Sequence, residues 1–207
     1  MASERHIELT ERTKATDGVR SGYTKLWGPA RDTESWSNEV AEWSISTWGP
    51  SSIPGGLTLY ATAGVLGPNA DLPNDMNEFY ATAGPDEPRL AAALSQVAAY
   101  AVKSGTALGA GHLVDFKSAL WEGSGLRGFI LTEHLELAPP VALEDGGAVH
   151  LLWALPLFPE ELDFVRAEGT AAFGDLFEKK QIAHWNVARP NFLASKRGLF
   201  GRFSKSN

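Results

Sequence analysis

The 207-residue chain carries a formal charge of −7, with 43% hydrophobic residues, 21% charged residues and no cysteine. That balance is ordinary for a globular protein. It excludes disulfides, thiolate metal sites and thiol nucleophiles, and the acidic surplus argues against a nucleic-acid partner. One large domain is expected, long enough to bury about 70% of the surface of its unfolded chain. The opening residues, Met1 to Glu8, lack the apolar core of a secretory signal. No stretch reaches the ~18 apolar residues of a spanning helix. A cytoplasmic protein without integral membrane association is therefore expected.

Residues 1–22 are polar and mixed in charge apart from Ile7 and Leu9. They read as a loosely attached, flexible arm holding at most a short helix. The domain is expected over residues 23–192. Its first part is dense in tryptophan: Trp27, Trp36, Trp43 and Trp48. Val40 to Trp48 alternates, with Ala41, Trp43 and Ile45 on one side and Glu42, Ser44 and Ser46 on the other. That pattern predicts a strand with one wet face. Gly49 to Gly56 is a loop rich in Gly and Pro. Leu57 to Ala63 is the next strand, able to pair with the first in an antiparallel ladder.

Gly64 to Asn77 is a long connection, followed by a short strand over Glu78 to Thr82. Asp86 is placed to cap a helix with Pro88 in its first turn. Leu90, Leu94, Val97 and Ala101 mark one helical face, and Gly105 ends it. His112 to Phe116 and Arg127 to Glu133 are further extended pieces. Val149 to Leu155 is a nearly unbroken apolar run, as in a strand buried on both faces. Pro156 is expected to stop its ladder, and Pro159 suits a helix's first turn. Glu160, Glu161 and Asp163 put negative charge near that helix's N-terminus. Leu162 and Val165 share a face, and Gly169 ends the helix. Thr170 then caps a second one carrying Phe173, Leu176 and Phe177. The order of elements predicts an α+β fold, a mixed and largely antiparallel sheet packed by helices.

Residues 193–207 are assigned outside the domain as a basic, disordered tail, with Lys196, Arg197, Arg202 and Lys205 and no acid. The rest of the chain then carries −11, 14 basic against 25 acidic residues. Leu199, Phe200 and Phe203 beside those cations would suit an anionic membrane surface, but a solvated tail is the plainer reading.

Signals for chemistry are sparse. Gly123-Ser124-Gly125 has the wrong spacing for a nucleophile elbow. Gly109-Ala-Gly111 lacks the third small residue and the helix of a dinucleotide loop. His6, His112, His134, His150 and His184 show no metal-binding spacing, so neither a metal nor another cofactor is expected. Glu160 and Glu161, adjacent on a helix, point about 100° apart and cannot converge on one bond. A dispersed hydrolase or transferase site around His112, Asp115, Glu78 and His134 is the enzymatic alternative. Trp27, Trp36 and Trp48 lie near loops and are candidate partner contacts, because indoles offer rigid apolar area with one polar end. Packing within the fold is their plainer role.

Several segments, taken in order, resemble one family. Leu57 to Gly64 ends in Thr62-Ala-Gly64, and Glu78-Phe-Tyr-Ala follows. Leu90 to Tyr100 is a long helix with Gly111-His-Leu113 after it. A buried strand, a Pro-containing corner, Glu160-Glu161-Leu162, Gly169, a helix and Arg189-Pro190 complete the series. This arrangement, over roughly residues 40–192, resembles the suppressor-of-fused domain in its short bacterial form. The resemblance implies structural roles for Thr62, Gly64, Glu78, Glu161, Gly169 and Arg189, with Arg189 clamped on Glu78 or Glu161. It also implies a non-enzymatic protein-binding domain. The eukaryotic relative sequesters a transcription factor by clamping an extended peptide, and a second, C-terminal lobe completes that clamp, so the mechanism is not carried over whole. Short bacterial members imply an immunity protein that neutralises a cognate toxin domain. An acidic domain would suit a basic toxin, because complementary charge speeds encounter.

Overall fold

The computed structural model describes residues 2–72, 75–84, 86–144 and 147–194, with residues 2–11 described by backbone alone. The tail from Ser195 onward lies outside the described residues. Three helices, α1 (Ala2–Trp27), α2 (Arg89–Ser104) and α3 (Pro159–Lys179), pack on one sheet. Its strands are β1 (Asp32–Ser37), β2 (Glu42–Trp48), β3 (Thr58–Ala63), β4 (Gly67–Pro68) and β5 (Met76–Ala83). They continue with β6 (Leu113–Asp115), β7 (Gly128–Glu133), β8 (Val141–Ala142) and β9 (Ala148–Leu157). The order across the sheet is β1-β2-β3-β5-β9-β7-β6, with β4 beside β5 and β8 beside β9. Every pair is antiparallel except β5 with β9. The fold is thus α+β with a mixed, largely antiparallel sheet.

Alternation along the strands sends side chains to two faces. One face meets α2, whose Leu90, Leu94, Val97 and Ala101 are buried as their spacing requires. Ala93 and Ala98 keep that helix close to the sheet. Gly105 ends it in a left-handed conformation at φ +60°, its N–H bonded to the Ala101 carbonyl. Asp86 does not cap α2. It accepts hydrogen bonds from Tyr60 Oη (2.5 Å) and Arg31 Nη2 (2.9 Å), pinning the segment before the helix to β3.

The other face is covered by α1, and here the sequence reading needs correction. The segment expected as an arm over residues 1–22 belongs to a continuous helix, and its later turns are docked. Val19, Tyr23 and Trp27 recur every four residues and are buried in a second core with Trp48, Leu59, Ala61 and Tyr80. Tyr23 donates to the Thr62 carbonyl at 2.6 Å. Gly22 is what lets the helix approach: a Cβ there would stand 2.6 Å from Val141 Cγ1. On the face expected to be wet in β2, Glu42 is exposed but Ser44 and Ser46 are dry, at 2% and 7% exposure. Ser46 and Thr33 share a hydroxyl hydrogen bond of 3.0 Å, and Ser44 accepts from Arg20 at 3.2 Å.

Two more differences concern strands. β1 was not foreseen, because an edge strand with polar residues at both phases shows no alternation. β9 runs through Pro156 rather than stopping at it, pairing Pro156 with Phe129. Its pairing with β5 ends at Trp153, so on that side position 156 has no neighbour strand among the described residues. The Pro156 carbonyl turns to Arg189 Nη2 at 3.1 Å. The amide side of a strand residue faces the same way as its carbonyl, so the missing N–H takes no bond from β7.

Candidate functional site

Five of the six family-pattern residues gather into two buried polar clusters that involve different parts of the sheet, and the sixth, Gly169, is exposed at a bend in α3. In the first, Glu78 on β5 has no exposed surface. Its Oε2 accepts from Thr62 Oγ1 at 2.5 Å, and its Oε1 accepts from the Gly64 and Leu66 amides at 2.8 and 3.0 Å. Thr62 Oγ1 in turn accepts from the Phe79 amide at 2.9 Å. Gly64 sits at φ +105°, where a Cβ would press 3.1 Å from the Glu42 carbonyl. The corner after β3 thus turns its amides onto one carboxylate. Burial raises the Glu78 carboxyl above its ordinary range, against the hydrogen bonds from Thr62, Leu66 and Gly64 and the nearby Arg12 charge. Arg12 itself donates to the Gly64 and Val65 carbonyls, both at 2.7 Å, tying α1 to the same corner.

The second cluster closes the far end of the sheet. Glu161, in the first turn of α3, has no exposed surface, and Arg189 has 4%. Arg189 Nη1 and Nη2 meet Glu161 Oε1 and Oε2 at 2.5 and 2.7 Å, a forked pair. Of the two carboxylates left open by the sequence, the structure pairs Arg189 with Glu161. Glu161 Oε2 also accepts the Phe158 amide at 3.0 Å, closing the helix N-terminus. The guanidinium lies 5.0 Å from the Phe158 ring and 5.2 Å from the Phe177 ring. Gly169 bends α3 at φ +85°, ψ 167°. The bend lets Phe173 and Phe177, beyond it, pack with Leu162 and Val165, before it.

The residues of the enzymatic alternative do not converge. From β5 to β6 there are three strand spacings, about 14 Å, between Glu78 and Asp115. His112 and Asp115 lie three residues apart along one extended segment and face opposite ways. Asp115 is held by Lys117 Nζ at 2.7 Å, Arg166 Nη2 at 2.5 Å and Arg127 Nη2 at 3.1 Å. Burial pushes its carboxyl up, but these donors win and hold it well below the ordinary range. His134 lies 6.0 Å from the Trp153 ring, and His184 stands between Trp153 and Trp185 at 4.9 and 4.7 Å. Burial, then Arg189 and His134, lower the His184 pKa. Among the described residues, no group of His, Asp and Glu is arranged to hold a metal ion.

Two of the three tryptophans named as partner contacts are core residues. Trp27 and Trp48 are 5% and 2% exposed and pack edge-on at 5.0 Å. Their indole N–H groups bond to the Leu137 and Gly28 carbonyls, so neither the ring nor its polar end is available to a partner. Trp36 differs, half-buried on β1 beside Trp43. It lines a cleft of about 700 Å³ between α1 and the β1–β2 hairpin, with Arg12, Asp17, Arg20, Ser35 and Glu42. The sequence held no sign of this cleft, because its walls include a helix expected as an arm and a strand, β1, that shows no alternation. No helix among the described residues is long and apolar enough to cross a membrane.

The suppressor of fused protein family model matches residues 39–190. A crystal structure of a suppressor-of-fused homologue from Neisseria gonorrhoeae superposes with a TM-score of 0.66 at 17% identity. The match covers 86% of this chain and 97% of that one. The structure of a Sufu–Fu complex matches with a TM-score of 0.57 at 12% identity, over 79% of this chain and 82% of the other. Drosophila Suppressor of Fused matches with a TM-score of 0.54 at 13% identity, over 81% of this chain but 46% of that one. No curated protein sequence matches the chain.

Proposed function

The chain belongs to the suppressor of fused family, and from that membership we propose that it is a non-enzymatic protein-binding domain whose partner is a toxin domain that it neutralises. The observation that carries the reading is the direction in which the family's polar residues point. Thr62, Glu78, Glu161 and Arg189 all bond inward, and the two glutamates have no exposed surface. A catalytic acid, base or nucleophile must come within hydrogen-bond reach of a substrate. Residues locked in this way hold a shape, and a shape serves docking. A relative of the same fold has been solved in a complex, with Fu, which favours a macromolecular partner. The toxin as partner is motivated by what the short bacterial form implies and by the charge of −7, which suits a basic protein.

The test is complex formation between the purified full chain and any toxin domain found encoded in the neighbouring gene, followed by growth of a deletion strain exposed to that toxin. A complex that weakens as salt rises, with toxin-sensitive growth of the deletion strain, is the expected result. Normal growth of that strain would remove the immunity role, and failure of any complex to form would remove the binding role.

A further inference from the structure

Among the described residues the sheet ends at β1, which pairs with β2 alone, and five of its six residues are exposed. The hairpin bond from the Asn38 amide to the Ala41 carbonyl (3.0 Å) sets the phase of the ladder. Even-numbered positions of β1 bond to β2, so Thr33, Ser35 and Ser37 present their N–H and C=O groups outward. The Thr33 amide is taken by its own Asp32 Oδ1 at 2.8 Å, as an amide outside the ladder can be. The outward groups of Ser35 and Ser37 face solvent. Native edge strands are usually guarded by charged side chains, Lys above all, by Pro or by a bulge. β1 has no Lys and no Pro, and its register is unbroken from Asp32↔Thr47 to Ser37↔Glu42.

What β1 does carry is negative charge. Asp32 and Glu34 are exposed on the strand, and Glu39 and Glu42 line the adjoining cleft, where Asp17 is ion-paired with Arg20 at 3.5 Å. Of the neighbouring cations, Arg31 is paired with Asp86 at 2.9 Å and Arg20 with Asp17 at 3.5 Å, and Arg12 is turned to the Gly64 and Val65 carbonyls. Such an edge repels a second copy of itself and suits a cationic strand. We propose that the outer edge of β1 is a docking site where an extended, Lys- or Arg-bearing segment of a partner protein adds as a further antiparallel or parallel strand. Alternate side chains of the added strand enter the cleft beneath α1. This inference rests on the protein-binding reading and names its surface.

Ser35→Pro is the discriminating variant. It deletes one outward N–H and no β2 bond, a position where edge strands tolerate proline. The probe is a capped peptide of about ten alternating Lys and Val residues, a strand's length, with its Glu-Val counterpart as control. Both are titrated into the isotope-labelled full chain while backbone amides are followed by NMR. The Lys-Val peptide is expected to shift the Ser35 and Ser37 amides and slow their hydrogen exchange. Ser35→Pro should weaken it about fivefold or more, roughly one main-chain hydrogen bond, and raised salt should weaken it too. Asp32→Lys with Glu34→Lys should switch preference to the Glu-Val peptide, which keeps the test open should Ser35→Pro fail to fold. No binding, perturbation centred elsewhere, equal binding of both peptides, or protection of these amides by self-association would each overturn the proposal. A toxin complex that forms equally well with Ser35→Pro would overturn the edge while leaving protein binding intact. Absence of any toxin complex would instead count against the binding role itself.

Discussion

Breaking the clamp between α3 and the segment after it should reveal how strongly its two charges depend on each other. Arg189→Met keeps the aliphatic length but leaves the Glu161 carboxylate, with no exposed surface, bonded only to the Phe158 amide. Removing one partner of a buried pair costs about 3–5 kcal/mol, since the other charge is stranded. Glu161→Leu strands the guanidinium instead, leaving it the Pro156 carbonyl at 3.1 Å and the two phenylalanine rings. It also orphans the Phe158 amide, so its cost falls in the same range or above. The double variant has no buried charge at the clamp, and what remains lost there is roughly one amide and one carbonyl partner, ~1–3 kcal/mol each. It is therefore expected to be no less stable than the worse single variant. Stabilities from urea unfolding of the four proteins give the coupling energy, expected near 3 kcal/mol or more against a total of about 5–15 kcal/mol. Additivity within ~0.5 kcal/mol would refute the claim that the pair is held as a desolvated unit.

Trp27→Ala should cost about 3–5 kcal/mol by the usual scale for buried aromatics, because α1 is part of the second core; a change below ~0.5 kcal/mol in chemical denaturation, as expected of a surface position, would return the segment to an arm. Gly169→Ala should destabilise by about 1–3 kcal/mol, since φ +85° with ψ 167° is a region open essentially to glycine alone, and an unchanged melting temperature would contradict the bend. Burial holds the folded pKa of Glu78 above the ordinary 4.5, so the native state keeps its proton longer than the unfolded chain. Its contribution is full below 4.5 and declines as pH rises through the folded value. Glu78→Gln, whose amide can donate to Thr62 Oγ1, should flatten that decline in stability measured from acid to neutral pH, and an unaltered slope would refute it. Asp115 has the opposite sign: its depressed pKa stabilises above the ordinary 3.8 and the gain is lost as pH falls through the folded value. Asp115→Asn should flatten the acid limb of the same curve, and an acid limb as steep as the wild type's would count against that role.

Legibility differed from element to element for physical reasons. α2 was readable because Leu90, Leu94, Val97 and Ala101 repeat at one helical spacing and Gly105 stops it. α3 was readable because Pro159, Glu161 and Gly169 each act within a turn of their own position. α1 was hidden, since its apolar stripe is only Val19, Tyr23 and Trp27 amid charged residues, and its burial depends on strands far along the chain. β1 was hidden because an open edge needs no apolar phase. The polar clusters were half visible: the motif residues stood out, but the sequence left Arg189 two possible carboxylates.

The amino-acid order by itself determined that β2, β3, β5, β7 and β9 extend and that α2 and α3 coil, because hydrophobic period, proline and glycine act over a few residues. It also determined the acidic charge and the absence of thiol chemistry. Only the assembled molecule decided that Ser44 and Ser46 lie dry beneath α1, that β9 continues through Pro156, and that Glu78 and Glu161 close separate clusters. It alone left the acidic edge of β1 unpaired beside a cleft. Each of these depends on which surfaces meet across tens of residues, and burial of that kind leaves no periodic trace in the segments that supply it.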